Sequence, residues 1–280
     1  MKIKNLSLAY STCPNDTFIF HALAHRLIDM KGLSYDIELD DVESLNQKAT
    51  SLMYNISKLS FAAIGNLQEN YALLKTGAAL GRGCGPLLVA KPGYRLKKLN
   101  ESTIAIPGIQ TTANLLLGLW AGKNDNTVPM SFDKIMPAVC SGEYDFGVII
   151  HEGRFTFSDY GLECVIDLGQ WWEDETSMPI PLGGIAIQRD LPPDIIHQVE
   201  KSIGESVLHA FNDKNASAAY IKQHAQELDD DVINQHIALY VNRFSQSLGS
   251  EGEKAVEYLF ELARKKGVMK KCSKSVFATG

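Results

Sequence analysis

A chain of 280 residues with 27 basic against 33 acidic side chains and a formal charge of -6 is long enough to bury roughly 75% of its unfolded surface, in one large domain or two small ones. The charges are interspersed and form no basic stripe that would track a phosphate backbone, which argues against a nucleic-acid partner. No window reaches the ~18 to 20 continuous apolar residues of a membrane span. The start MKIKNLSLAYST alternates like a strand where an export signal would show an apolar core and a small-residue cleavage site; the reading is a soluble, cytoplasmic protein with no membrane partner. Nothing in the pattern specifies an oligomeric state.

Strand and helix signals alternate from the first residues, the pattern of an α/β protein. Ile3 to Tyr10 reads as a strand, and Pro14, Asn15, Asp16 and Thr17 supply helix-start chemistry before Phe18 to Ile28. Tyr35 to Leu39 is the next strand, Val42 to Met53 the helix after it, and Leu59 to Ile64 a short buried strand. Tyr71 to Leu80 follows, then the turn-rich GRGCGP, Gly81 to Pro86. Leu87 to Ala90 and Ile185 to Ile187 each follow a Gly/Pro cluster and look like a pair of crossover strands. Between them lie strand Thr103 to Ile106, helices Thr112 to Trp120 and Phe132 to Val139, and strands Phe146 to Ile150 and Leu162 to Leu168. After Asp190 the chain is helical, over Pro193 to Asn212, Ala216 to Glu227, Val232 to Phe244 and Glu251 to Lys266. A middle segment inserted into a discontinuous first domain explains this order. It predicts a larger lobe from 1–88 and 187–280, a smaller lobe from 89–186, two hinge strands, and a ligand cleft between the lobes.

The five cysteines, Cys13, Cys84, Cys140, Cys164 and Cys272, are odd in number, scattered and without a CxxC pair, so they read as reduced thiols and no metal is expected. His21 and His25 are four apart on a helix face but lack an HExxH acid and a third ligand; a solvated or half-buried face accounts for them. Cys84 has no histidine that can be placed beside it, and a small buried thiol is the common case. Gly81, Gly83 and Gly85 precede a strand instead of opening a helix, so a hinge turn suits them better than a dinucleotide fingerprint. Trp171 and Trp172 offer stacking surface, though packing between lobes explains them as well.

The sharpest candidate is His151, which stands where the apolar run Phe146 to Ile150 stops. Ligands of open α/β sheets collect at the carboxyl ends of strands, and an imidazole there can take a proton near neutral pH. A structural histidine is the competing explanation. Arg154, after the break at Gly153, is a possible anion contact; alternatively Asp145, Glu152 and Arg154 pair on the surface, where pairing contributes little. Gly108, Thr111, Thr112 and Ala113 form a strand-to-helix connection whose unpaired N–H groups and dipole suit a carboxylate. Capping by Thr111 explains one of the two threonines without a ligand. Lys58, Leu59 and Ser60 sit near another strand end, where ligand contact competes with a solvated charge and a satisfied hydroxyl. Ser11 and Asn15, with Thr12 and Cys13, end the first strand and begin its helix, again as cleft lining or as caps.

Six segments in order, STCPNDTFIFHAL, KLSFAA, GRGCGPLLV, PGIQTTA, GEYDFGVIIHEGRFTF and PIPLGGIAI, together resemble the 1,4-dihydroxy-6-naphthoate synthase family, lyases of the futalosine route to menaquinone. The resemblance runs from Ser11 through Ile187. It implies the two-lobed fold of type II periplasmic binding proteins, conversion of cyclic dehypoxanthinyl futalosine to 1,4-dihydroxy-6-naphthoate with release of a small sugar-derived fragment, and no cofactor. The family's proton-accepting histidine falls on His151, and its substrate-contact segments fall on Lys58 to Ser60 and on Thr112 with Ala113. The substrate class so implied is a small-molecule carboxylate. Two rivals share the expected fold: a chorismate dehydratase-like lyase, and a solute-binding protein that performs no chemistry.

Overall fold

The computed structural model describes residues 4–94, 99, 101–122, 125–225 and 229–279. Ile3 of the expected first strand and Gln226 and Glu227 of an expected helix lie outside the described residues. Eleven strands among the described residues form two mixed sheets. The first joins β1 (Lys4–Ser11), β2 (Leu33–Asp40), β3 (Ile56–Ser60), β4 (Tyr71–Leu73), β5 (Ala79–Gly81) and β11 (Ile180–Gln188) in the order β2-β1-β3-β11-β4, with β5 also on β11. The pairs β1/β2 and β1/β3 are parallel, whereas β11 runs antiparallel to β3, β4 and β5. The second sheet joins β6 (Leu87–Ala90), β7 (Ile104–Ile106), β8 (Thr127–Pro129), β9 (Phe146–Ile149) and β10 (Glu163–Asp167) in the order β10-β6-β9-β7-β8.

Strand membership moves the junctions away from the hinge strands read from the sequence. The segment β6 lies wholly in the second sheet, paired with β9 and β10, and β11 lies wholly in the first. The chain therefore crosses within 82–86 and returns within 168–179, not at 88/89 and 186/187. The Gly/Pro cluster before Ile185 hid the true length of β11. Pro181 is accommodated inside the strand because the register with β5 slips between Pro181 and Gly183, the kind of irregularity at which a sheet tolerates proline.

Helix starts follow the local chemistry. Pro14 opens α1 (Pro14–Ala24) at its first position, where no backbone donor is lost. Asp41 caps α2 (Val42–Thr50) by accepting from Glu43 N and Ser44 N. The expected strand Leu59 to Ile64 is the end of β3 followed by a helix, α3 (Phe61–Asn66); its residues Phe61, Ala62, Ala63, Ile64 and Gly65 are all buried, so no polar stripe marks a period. In the second half are α4 (Thr112–Ala121), α5 (Phe132–Ser141), α6 (Gly153–Thr156) and α7 (Leu168–Thr176). Asp167 caps α7, which takes up Leu168 from the expected strand end. The C-terminal helices are α8 (Pro193–Asn212), α9 (Ala218–His224), α10 (Asp230–Tyr240), α11 (Arg243–Gln246) and α12 (Gly249–Lys265). The single helix expected over Val232 to Phe244 breaks at Asn242, whose side chain forms a capping box with Ser245; a short amide competes with the helical backbone in this way.

The largest apolar cluster is continuous across both sheets. It joins Leu59, Phe61 and Leu73 of the first half to Leu116, Phe146 and Trp172 of the second. Among the described residues no helix is long and apolar enough to cross a membrane.

Candidate active site

Three strand ends converge on one cavity of about 670 Å³, its mouth included. Ser11 ends β1, Lys58 to Ser60 end β3, and Ile150 and His151 follow β9; all of these line the cavity, together with Asn15, Asp16, Thr111, Thr112 and Ala113.

The first-sheet wall is a closed polar network. Asp16, 2% exposed, accepts from Lys58 Nζ at 2.7 Å, Ser11 Oγ at 2.7 Å and Asn15 Nδ2 at 2.8 Å. Lys58 also donates to Gly77 O at 3.0 Å, so two of its three donors are committed. The solvated charge considered from sequence is a buried ion pair, its Lys58 6% exposed. Asn46 locks Ser60 from both sides, accepting from Ser60 N at 3.0 Å and donating to Ser60 Oγ at 3.1 Å. That arrangement leaves the Ser60 hydroxyl proton available for donation.

The α4 start closes the cavity from the other half. Thr111 Oγ1 accepts from Asn114 N at 3.2 Å and donates to Gly108 O at 2.8 Å, which is the capping role. Thr112 works across the junction: its hydroxyl donates to Leu182 O at 2.6 Å and accepts from Ala62 N at 3.4 Å. Glu43 of α2 accepts from Gln110 N at 3.2 and 3.3 Å, a further tie between the halves.

His151 is built differently. Its φ is +56°, the left-handed region that side chains other than glycine seldom adopt, and the turn swings the ring off the strand into the cavity. Cys13 Sγ lies 3.6 Å from Nδ1 and 3.7 Å from Nε2. Phe132 packs edge-on with ring centroids 5.0 Å apart, and His236 lies nearly parallel at 6.0 Å. Burial lowers the basicity of His151, outweighing Glu152, Asp16 and Asp41, whose charges pull the other way; the ring is held toward its neutral form.

Arg154 is not among the lining residues. Its guanidinium donates to Gly85 O at 2.7 Å and pairs with Asp167 at 2.6 Å, tying α6 to the first crossover and to the end of β10. The anion contact expected of it is replaced by this partner set, which lies in segments 69 and 13 residues away. Cys84 lines the cavity, but burial pushes its thiol up to about 12, which disfavours the nucleophilic thiolate. Trp172 is fully buried and donates to Pro179 O at 3.2 Å, and neither it nor half-buried Trp171 lines the cavity. Among the described residues no group of three or more His, Cys, Asp or Glu is arranged to hold a metal ion.

Sequence reasoning missed Asp16 as a site residue, having taken it for helix-start chemistry, and missed His236 and Tyr240 altogether. Tyr240 lines the cavity. His236 is 0% exposed, with Nε2 3.0 Å from Asn15 Oδ1. The only available sign was a polar residue at an inward position of α10, which by itself names no partner.

The family profile described as menaquinone biosynthesis matches residues 6–265. A protein of Thermus thermophilus named 1,4-dihydroxy-6-naphthoate synthase is 43% identical over 94% of this chain and 95% of its own length. A Streptomyces coelicolor protein of the same name is 40% identical over 96% of each chain. A crystal structure of an Archaeoglobus fulgidus protein superposes with a TM-score of 0.89 at 35% identity, covering 95% of this chain and 98% of that one. The alkanesulfonate-binding protein SsuA of Xanthomonas axonopodis pv. citri, solved with MOPS, superposes at 0.71 with 14% identity over 97% and 96% of the two chains, and so shares the two-lobed periplasmic-binding-protein fold alone. With a profile match across nearly its whole length and two relatives of at least 40% identity, the chain belongs to the menaquinone biosynthesis family of enzymes.

Proposed function

We propose that this enzyme converts cyclic dehypoxanthinyl futalosine to 1,4-dihydroxy-6-naphthoate, with His151 as general base. The observation that carries the reading is the His151 ring itself, swung by a positive φ into the cavity between the two halves and held toward its neutral form by burial. A neutral imidazole takes the proton of a substrate hydroxyl. The O–H electron pair becomes a carbonyl on the departing fragment as a carbon-carbon bond breaks, and the pair from that bond enters the ring system, which becomes aromatic. The imidazolium then returns its proton to product or solvent. Proton removal of this kind contributes on the order of a hundred- to ten-thousand-fold. The start of α4 at Thr112 and Ala113, with its unpaired N–H groups and dipole, suits the substrate carboxylate, and Ser60 supplies a hydroxyl donor. An anion finds no net repulsion from Asp16, because Lys58 neutralises it.

Incubating the full chain with the cyclic substrate and following products by chromatography tests the activity; substrate recovered unchanged would instead favour a solute-binding role. His151→Asn is expected to bind substrate in calorimetry and to lose turnover by the factor above. Product formation at the parental rate in that variant overturns the assignment of the base.

A further inference from the structure

Among the described residues, the side-chain hydroxyls on the cavity wall belong to Ser11, Ser60, Thr111, Thr112 and Tyr240. Three are committed: Ser11 donates to Asp16, Thr111 to Gly108 O and Thr112 to Leu182 O. Ser60 keeps its proton, and the proposed reaction uses it beside the α4 start. Tyr240 is left without a task. The residue is only 8% exposed, yet its hydroxyl has no hydrogen-bond partner among the described residues and is not sealed off from the cavity that the residue lines. Buried tyrosines elsewhere behave differently: Tyr10 pairs with Tyr220 at 2.6 Å, and Tyr71 donates to Tyr54 O at 2.6 Å. A phenol taken this far from water normally finds a partner. One left open on a cavity wall is placed for an atom of the ligand.

The position of the ring is fixed from both sides. His236 precedes it by four residues on α10, the spacing that puts side chains on one helix face, and lies 4.5 Å from Tyr240 and 6.0 Å from His151 between ring centroids. Just after the helix, Asn242 Nδ2 donates to Leu80 O at 3.0 Å and pins the turn to β5. Tyr240 thus stands one imidazole away from the proposed base. Burial, with Cys84, Glu152 and Cys13, holds its phenol far above the ordinary tyrosine value and outweighs Arg154. The group keeps its proton and serves as a donor.

We propose that Tyr240 is a second catalytic residue, its hydroxyl donating a hydrogen bond to the substrate ring oxygen on which negative charge develops. The inference rests on the lyase reaction proposed above. There the electron pair of the broken carbon-carbon bond enters the ring system and comes to rest on a conjugated carbonyl oxygen. That C=O becomes C–O⁻, and the oxygen leaves as one of the two ring hydroxyls of the dihydroxynaphthoate. Tyr240 keeps its own proton throughout. The proton removed by His151 is the one that ends on the ring oxygen, directly or through solvent, so protons and charge balance. Base and donor stand at the two ends of the electron flow, and a fixed donor aimed where charge develops needs no reorganisation at the moment of reaction.

Turnover of the cyclic substrate by the full chain is compared for the parent and Tyr240→Phe, and 1,4-dihydroxy-6-naphthoate is titrated without oxygen as a ligand of both. Tyr240→Phe keeps the ring that packs on His236 and removes only an oxygen that bonds nothing in the fold, so its denaturation midpoint is expected to match the parent. Its kcat is expected to fall on the order of a hundred- to a thousand-fold, the effect of deleting one such donor, with KM nearly unchanged. The bound naphthol, followed by absorbance against pH, is expected to ionise about one pH unit lower in the parent than in Tyr240→Phe, because a hydrogen bond to the charged form favours it. Parental kcat in Tyr240→Phe, equal ionisation midpoints, or a loss of kcat that merely follows a lowered denaturation midpoint overturns the assignment. Should His151→Asn turn over at the parental rate while Tyr240→Phe does not, the base fails and the donor stands. A parent that leaves the cyclic substrate unchanged fails the reaction itself, and the naphthol titration, which needs no turnover, then decides for or against the donor.

Discussion

The two walls of the cavity are built on opposite principles. On the first-sheet side, Ser11, Asn15, Asp16, Lys58 and Gly77 form a network whose members bond one another within 2.7 to 3.0 Å. On the β9 side, His151 has a left-handed backbone, a sulfur at 3.6 Å and a neighbouring histidine with an orphaned nitrogen. A satisfied buried network rigidifies; an under-satisfied group in a sparsely populated conformation is what motivates the proposed role of His151. The contrast sets Lys58 and Asp16, tied into a buried ion pair, against the weakly bonded imidazole proposed to exchange a proton.

The largest expected effects break this contrast outright. Removing the imidazole in His151→Asn targets turnover, with a loss on the order of a hundred- to ten-thousand-fold and little change in the chemical denaturation midpoint. Lys58→Met is expected to do the reverse at the level of the fold. It strands a buried carboxylate, which destabilises by about 3–5 kcal/mol, measurable by denaturant unfolding; a loss below about 1 kcal/mol would return Lys58 to the class of solvated surface pairs.

Thr112→Val sharpens the comparison at the seam between the walls. The isosteric change leaves Leu182 O and Ala62 N without their shared hydroxyl, and the expected destabilisation is about 1–3 kcal/mol. Because that hydroxyl joins the two halves, KM is expected to rise more than kcat falls, and steady-state kinetics separates the two.

The smallest effect is a slope with pH. His151 and His236 are both held below the usual histidine range, chiefly by burial, so the unfolded chain binds protons the folded one refuses. Their contribution to stability is complete above the unfolded value of about 6.5 and is lost as pH falls from there through the folded values. Denaturation midpoints are expected to drop between pH 7.5 and 5.5, and less steeply in His151→Asn. An equal slope in parent and variant would assign the dependence to other groups.

Much of this design was legible in the chain. The alternation of elements, the helix over Pro193 to Asn212, the strand end at His151 and the helix start at Thr112 follow from local pattern and capping chemistry. The run Phe61 to Ile64 was not, since a segment buried on every side shows no period. Arg154 was legible as a cation near the site, but its partners were not. Trp171 and Trp172 read equally as ligand-stacking surface or as packing between lobes, and local pattern does not choose between the two.

Local order along the chain thus determined which residues stand at strand ends and helix starts, because backbone propensities and hydrophobic periods act over a few positions. Only the tertiary structure decided what those residues meet: Lys58 finds Asp16 across 42 positions, Thr112 finds Leu182 across 70, and Asn15 finds His236 across 221. Whether a lysine is a ligand or a strut, and whether a histidine is neutral, depends on burial and on partners at such separations. Those quantities exist only once the two sheets have come together.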